Sequence, residues 1–245
     1  HSHIGSQIFD TGGFEVAARR TMKLLSQFTD ATGTQLPELD LGGGFGIAYT
    51  SQDSPSTPER LAGDLREIVA HEARGHGMIE PRLSIEPGRA IVGPAAMAVY
   101  TVGTVKPVDL EGGAQRIYVS VDGGMSDNIR PALYAAEYHA LLANKAREAA
   151  PGAPSGSLGA SAAASDLVTV VGKCCETGDV LIRDIALPDP RPGDTLAVFS
   201  TGAYNHSMAS NYNRIPRPAV VLTRAGTHRL SVRRETYEDL VAREY

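Results

Sequence analysis

Cysteine is scarce: 245 residues hold 2, Cys174 and Cys175, side by side. A bridge between adjacent residues is strained, so both read as free thiols in a reducing compartment, which points to the cytoplasm. Basic residues are in no surplus. The formal net charge of -5 excludes broad attraction to nucleic acid or anionic membrane, because no cationic excess exists to neutralise phosphates. No apolar run approaches the length that spans a bilayer. The sequence opens without Met or a signal peptide. Residues 1–9 read instead as the end of a strand, so the chain is expected to be a truncated portion of a longer one. No internal repeat is present. The remainder, 42% hydrophobic and 21% charged, suits a globular chain of one large domain or two smaller ones.

The first third alternates strand and helix. Phe14, Ala18, Thr21, Leu25 and Phe28 recur at helical spacing and Gly33 supplies a stop. A short apolar segment, Leu36 to Leu41, runs into Gly42-Gly43-Gly44. Thr57-Pro58-Glu59 is a helix start, followed by a buried stripe of Leu61, Leu65, Ile68 and Val69. Leu83 to Glu86 is a further strand. This interval indicates βαβ units around a parallel sheet, over residues 1–95. From 96 to 245 the segments are short, β-branched and separated by turns: 116–121, 167–171, 180–185, 195–199, 219–223 and 229–232. That predicts a largely β domain with one inserted helix, Pro131 to Ala149, and one terminal helix at the Thr236/Asp239 capping pair. Residues 149–165, rich in Ala, Gly, Ser and Pro, predict a mobile loop.

Several motifs can carry chemistry. Gly42-Gly43-Gly44-Phe45-Gly46 follows a strand, and glycine lets backbone N–H groups approach an anion; a plain tight turn is the alternative. Neither GxGxxG nor a P-loop fits. Glu86-Pro87-Gly88-Arg89 lies at a strand's C-terminal end, where the Arg suits a phosphate or carboxylate; in isolation a surface turn with solvated charges is the default reading. His1 and His3 are spaced for a metal, but no acidic or cysteine ligand lies nearby in sequence. In Gly172-Lys173-Cys174-Cys175-Glu176 a thiol adjoins a carboxylate. The carboxylate tends to keep the thiol protonated, hence a proton donor; a small buried Cys beside a solvated turn is the other reading.

Taken in order, HSHIGSQ, LDLGGGFG, IEPGRAIVGP, DGGMSDNIRPALY, VVGKCCETGD and AYNHSMASNYN resemble the diaminopimelate decarboxylase family, from His3 to the chain's end. The resemblance implies an α/β plus all-β fold: the C-terminal part of a pyridoxal phosphate (PLP)-binding (β/α)8 barrel of TIM type, then a β-sandwich or β-barrel domain. His3 would stack on the pyridine ring, with Ser6 and Gly44 at the phosphate. Glu86 would pair with the ring nitrogen, in a turn completed by Pro87 and Gly88, and Arg89 would reach phosphate and substrate. Arg130 and Tyr134 would bind the substrate's distal end, and Tyr204 would touch both cofactor and substrate. Cys175 would be the proton donor, and Glu176 would hold the distal ammonium. In the family these last two enter from the partner subunit, which implies a homodimer with shared sites.

The implied reaction converts meso-2,6-diaminopimelate to L-lysine and carbon dioxide. Decarboxylation of ornithine, arginine, lysine or carboxynorspermidine is the near alternative, and a non-catalytic or incomplete module of the fold is the distant one. Arg130 with Glu176 favours a distal amino-acid centre over a simple amine. Two departures stand within the match: Cys174 replaces the family's usual His, and the preceding loop is long. A third concerns the PLP-anchoring lysine, which the family carries earlier in the barrel. Lys23, Lys106, Lys145 and Lys173 are the lysines here, and none lies in the matching motif.

Overall fold

Helix α1 (Gly12–Thr32) ends where Gly33 adopts a left-handed φ of 68° and its N–H caps Thr29 O. Phe14, Ala18 and Met22 bury fully along one face, whereas Phe28, assigned to that face by spacing, lies beyond the core and is 40% exposed. Helix α2 (Pro58–Gly75) starts as its sequence suggests: Thr57 accepts from the Arg60 N–H and proline occupies the first turn. Between and after them run β1 (Glu38–Asp40) and β2 (Arg82–Ser84), which pair in parallel with Leu39 opposite Leu83. Phe14, Met22, Leu39, Leu41, Phe45, Leu65 and Val69 form one core, each large side chain contributing about 1.5–3 kcal/mol on burial. Phe14 and Phe45 stack at 4.9 Å.

The computed structural model describes residues 1–148 and 166–245. The loop expected at 149–165 falls outside them. The chain divides into two units, His1–Ala95 and Ala96–Tyr245. In the first, residues 1–9 form no strand; a single parallel bridge, Ile8 to Phe45, is their only ladder contact among the described residues. Gly5 and Gln7, both at positive φ, break the extended run that the sequence suggested. The short helix α3 (Gly88–Val92) begins inside the Glu86-Pro87-Gly88-Arg89 turn.

The second unit is built on β3 (Ala98–Asp109), β4 (Gln115–Val121), α4 (Arg130–Tyr134), β5 (Ala140–Leu142), β6 (Asp166–Val171), β7 (Val180–Leu187) and β8 (Thr195–Val198). These strands make one sheet in the order β5-β8-β3-β4-β6-β7, parallel at β4–β6 and antiparallel elsewhere. Its two edge strands, β5 and β7, approach each other, so the sheet curls toward a barrel. Val102, Val119, Val121, Val168, Val170 and Leu196 fill the interior. The single helix expected over 131–149 is not formed. Ala135 takes φ 49° and ends α4 after one turn, and Ala140 and Leu142 bury against β8 as strand β5. A 3-10 segment, Ala143–Glu148, follows. Helix α5 (Asn205–Met208), hairpin β9 (Val220–Arg224)–β10 (Thr227–Val232) and helix α6 (Tyr237–Val241) complete the unit. Thr236 and Asp239 close a reciprocal capping box at α6.

Candidate active site

Because β1 and β2 are parallel, the loops that leave them emerge at one edge. The Gly42–Gly46 loop follows β1, and Glu86 follows β2; the Glu86 N–H donates to Gly42 O at 2.9 Å. Residues 1–8 run alongside, with the Ser2 N–H on Asp40 O at 3.0 Å and the Ile8 N–H on Gly44 O at 2.9 Å. Three segments therefore meet with no room between them. A Cβ at Gly42 would collide with Ser2 O, one at Gly43 with Glu86 O, and one at Gly44 with Gly5 O. Gly44 also holds φ +99°, open only to glycine at little cost.

Polar side chains line this edge. Arg89 donates to Ser6 Oγ and, at 3.1 Å, to Gln7 Oε1. Gln7 is fixed in turn by both polar groups of Ile47: it donates to Ile47 O at 2.6 Å and accepts from the Ile47 N–H at 3.2 Å. His3 Nδ1 faces the Gly43 N–H at 3.4 Å. Glu86 is exposed, with His1 Nε2 3.4 Å from its carboxylate. His1, Asp40 and Glu86 also lie close enough to share a cation, a clustering that common exposed acidic groups produce without one. The sequence reading thus placed His3, Ser6, Gly44, Glu86, Pro87, Gly88 and Arg89 in what proves one neighbourhood. It gave no role to Gln7, which the fold uses to aim Arg89; its place inside the HSHIGSQ motif was the available signal.

In the second unit Arg130 is 6% exposed. Its Nη1 donates to Tyr138 Oη at 2.6 Å, and its guanidinium carbon lies 5.4 Å from the Tyr204 ring centroid. Tyr204 precedes α5 with φ 72°, a strained value for a bulky residue. Tyr134, in α4, is 63% exposed and stands apart from those contacts. Cys174 is half-buried and Cys175 exposed. Burial, reinforced by Asp179, raises the Cys174 thiol above its ordinary range. Glu176 accepts a hydrogen bond from Tyr212 Oη, and that bond lifts the phenol above its usual range. Tyr212 was not singled out in sequence, although it lies inside the AYNHSMASNYN motif.

Residues 1–93 match the family model described as the pyridoxal binding domain of pyridoxal-dependent decarboxylases. Diaminopimelate decarboxylase of Bacillus subtilis is 49% identical over 98% of this chain and 51% of its own length. That of Mycobacterium tuberculosis H37Rv is 48% identical over 100% of this chain and 53% of its own. The chain belongs to the diaminopimelate decarboxylase family. A crystal structure of the M. jannaschii family member in complex with L-lysine superposes with a TM-score of 0.83, at 32% identity over 99% of this chain and 50% of that one. The chain spans about half the length of the curated relatives it matches. The stretch that matches the pyridoxal binding domain falls within the first unit.

The first unit fits the cofactor at two ends. The Gly42–Gly44 cradle, closed to any Cβ, lies beside Ser6 and Arg89, a donor set for a phosphate. Glu86 supplies a carboxylate at the same edge for a protonated ring nitrogen. Lys23, on α1, is the first unit's single lysine and is exposed.

Proposed function

We propose that the protein decarboxylates meso-2,6-diaminopimelate to L-lysine and carbon dioxide with PLP, as a cytoplasmic homodimer. The observation that carries this reading is the convergence of Glu86, Ser6, Arg89 and the three glycines at one sheet edge, within a chain matched throughout by diaminopimelate decarboxylases. When bound, PLP supplies an electron sink for the bond to the departing carboxylate.

The chain's own residues do the rest. Ser6 Oγ and the Arg89 guanidinium hold the phosphate by charge-assisted hydrogen bonds. Glu86 would keep a proton on the ring nitrogen, which would sustain the sink. His3 would hold the ring from one side. Arg130, pre-set by Tyr138, receives the distal carboxylate; Tyr134 and Tyr204 complete the substrate's surroundings. Glu176, held by Tyr212, pairs with the distal ammonium. Cys175 then delivers a proton to the carbon that has lost carbon dioxide. An exposed thiol in a loop, followed at once by a carboxylate, suits a donor presented to a partner subunit's site.

Rates on meso-2,6-diaminopimelate and ornithine, compared in the full-length protein, test the substrate. Preference for diaminopimelate is expected; preference for ornithine selects the basic amino-acid alternative, and turnover of neither selects a non-catalytic module. Sedimentation should give a dimer. Mixing Cys175→Ala with a Glu86→Ala mutant should restore activity if sites are shared, and no recovery would sink the shared-site reading.

A further inference from the structure

The turn between β6 and β7 carries Cys175 and Glu176, and Asp179 closes it. That aspartate is 2% exposed, and no basic side chain pairs with it among the described residues. A buried carboxylate without a cation is costly to maintain. Its oxygens are used instead on backbone. Oδ1 accepts the Met125 N–H and Oδ2 the Cys174 N–H, both at 2.7 Å. The main chain of Asp179 closes the same turn, accepting from Gly172 at 2.9 Å and donating to Glu176 O at 3.0 Å.

The second loop so engaged runs into Arg130. Within it the Gly124 N–H donates to Asp127 Oδ1 at 2.8 Å, the Asn128 N–H to Gly124 O at 2.9 Å, and α4 begins two residues later. Room for the carboxylate is built into both loops, since a Cβ at Gly124 or at Gly172 would overlap it. A Cβ added at Gly178 would meet Ala132 of α4 at ordinary contact distance, so the turn and α4 run close together.

We infer that Asp179 is the positioning residue of the proton-donor loop, fixing Cys175 and Glu176 in register with the segment that ends in Arg130. The inference rests on the decarboxylase reading given above. One carboxylate thus holds the loop that presents the donor thiol and the ammonium reader against the loop that leads to Arg130. Displacing a donor by about 1 Å can cost on the order of a hundredfold in rate.

The test uses the full-length protein with cofactor, in D2O. Wild-type enzyme should place deuterium in one configuration at the ε-carbon of the lysine formed. Asp179→Asn keeps the shape but turns its amide NH2 toward one of the two N–H groups; it should scramble that configuration and lower kcat at least about tenfold, with KM changed less than about threefold. Gly172→Ala keeps the charge but pushes the carboxylate aside, and should do the same. A merely structural role would lower the yield of folded enzyme and leave the configuration intact. In the wild type the Met125 and Cys174 amides should exchange slowly. Asp179→Asn should free at least one of them and speed Cys174 alkylation. Unscrambled deuterium in both variants, or wild-type amides exchanging at free-peptide rates, overturns the inference. Should the wild type fail to act on diaminopimelate, the functional reading falls instead. The exchange and alkylation arms then decide the clamp: unchanged protection in Asp179→Asn refutes it, and lost protection upholds it.

Discussion

Tyr100 is 5% exposed, and its hydroxyl donates to Asp127 Oδ2 at 2.5 Å. Burial raises the Asp127 carboxyl above its ordinary range, while the bonds from Tyr100 and the Gly124 N–H oppose the shift. Tyr100→Phe removes one of those donors and leaves a partly buried oxygen unsatisfied, which should cost about 1–3 kcal/mol. Urea denaturation measures it; a loss near zero would mean that water replaces the hydroxyl. His139 gives a pH dependence. Stacked on Phe199 and half-buried, it has a pKa lowered by desolvation. The unfolded chain therefore binds the proton more readily, so this contribution is complete above the unfolded His value of about 6.5 and is lost as pH falls through it. The melting temperature should drop between about pH 7.5 and 5.5, and less steeply in His139→Phe. Equal slopes would assign the dependence to other groups. Neither residue was legible in sequence, where a Tyr outside every expected strand and a His inside an expected helix look ordinary; their meaning comes from burial by strands distant along the chain.

At the scale of elements, local chemistry was readable where it was self-contained. The Thr57 cap with Pro58, the Gly33 stop and the Thr236/Asp239 box depend only on near neighbours, and each formed as their residue types suggest. Strand β3 was missed because Gly103 and Pro107 interrupt its pattern; the register shifts between Val102 and Val105, yet Pro107 still lies opposite Ile117. The helix over 131–149 failed for the opposite reason: its apolar spacing served a buried strand and a short turn instead. The glycine triplet is the element on which the candidate site depends. Gly43→Ala would drive a Cβ into Glu86 O and shift the carboxylate proposed to face the ring nitrogen. Affinity of the full-length protein for PLP should fall at least about tenfold, measured by equilibrium dialysis, with a melting temperature changed by only a few degrees. Equal affinity would show that β1 and β2 can part without disturbing the site.

At the scale of the molecule, six ordered motifs carried the family and both architectures, whereas geometry added what no motif states: which groups hold the functional ones in place. Gln7 aims Arg89, Tyr212 holds Glu176, and Asp179 spans two loops. The lysines supply the remaining argument. Lys23, Lys106 and Lys173 are exposed, and Lys145 is tied to Asp194 at 2.8 Å. Three lie in water and the fourth is engaged by a carboxylate, so none stands ready to attack a carbonyl. The 245-residue chain mixed with PLP and treated with borohydride should therefore show no stoichiometric adduct on any one lysine by peptide mass spectrometry. A polypeptide of the relatives' full length should show one, outside these residues. A single stoichiometric adduct on Lys173 would place the anchoring amine in the donor loop itself, and would require a different assignment of Cys175 and Glu176.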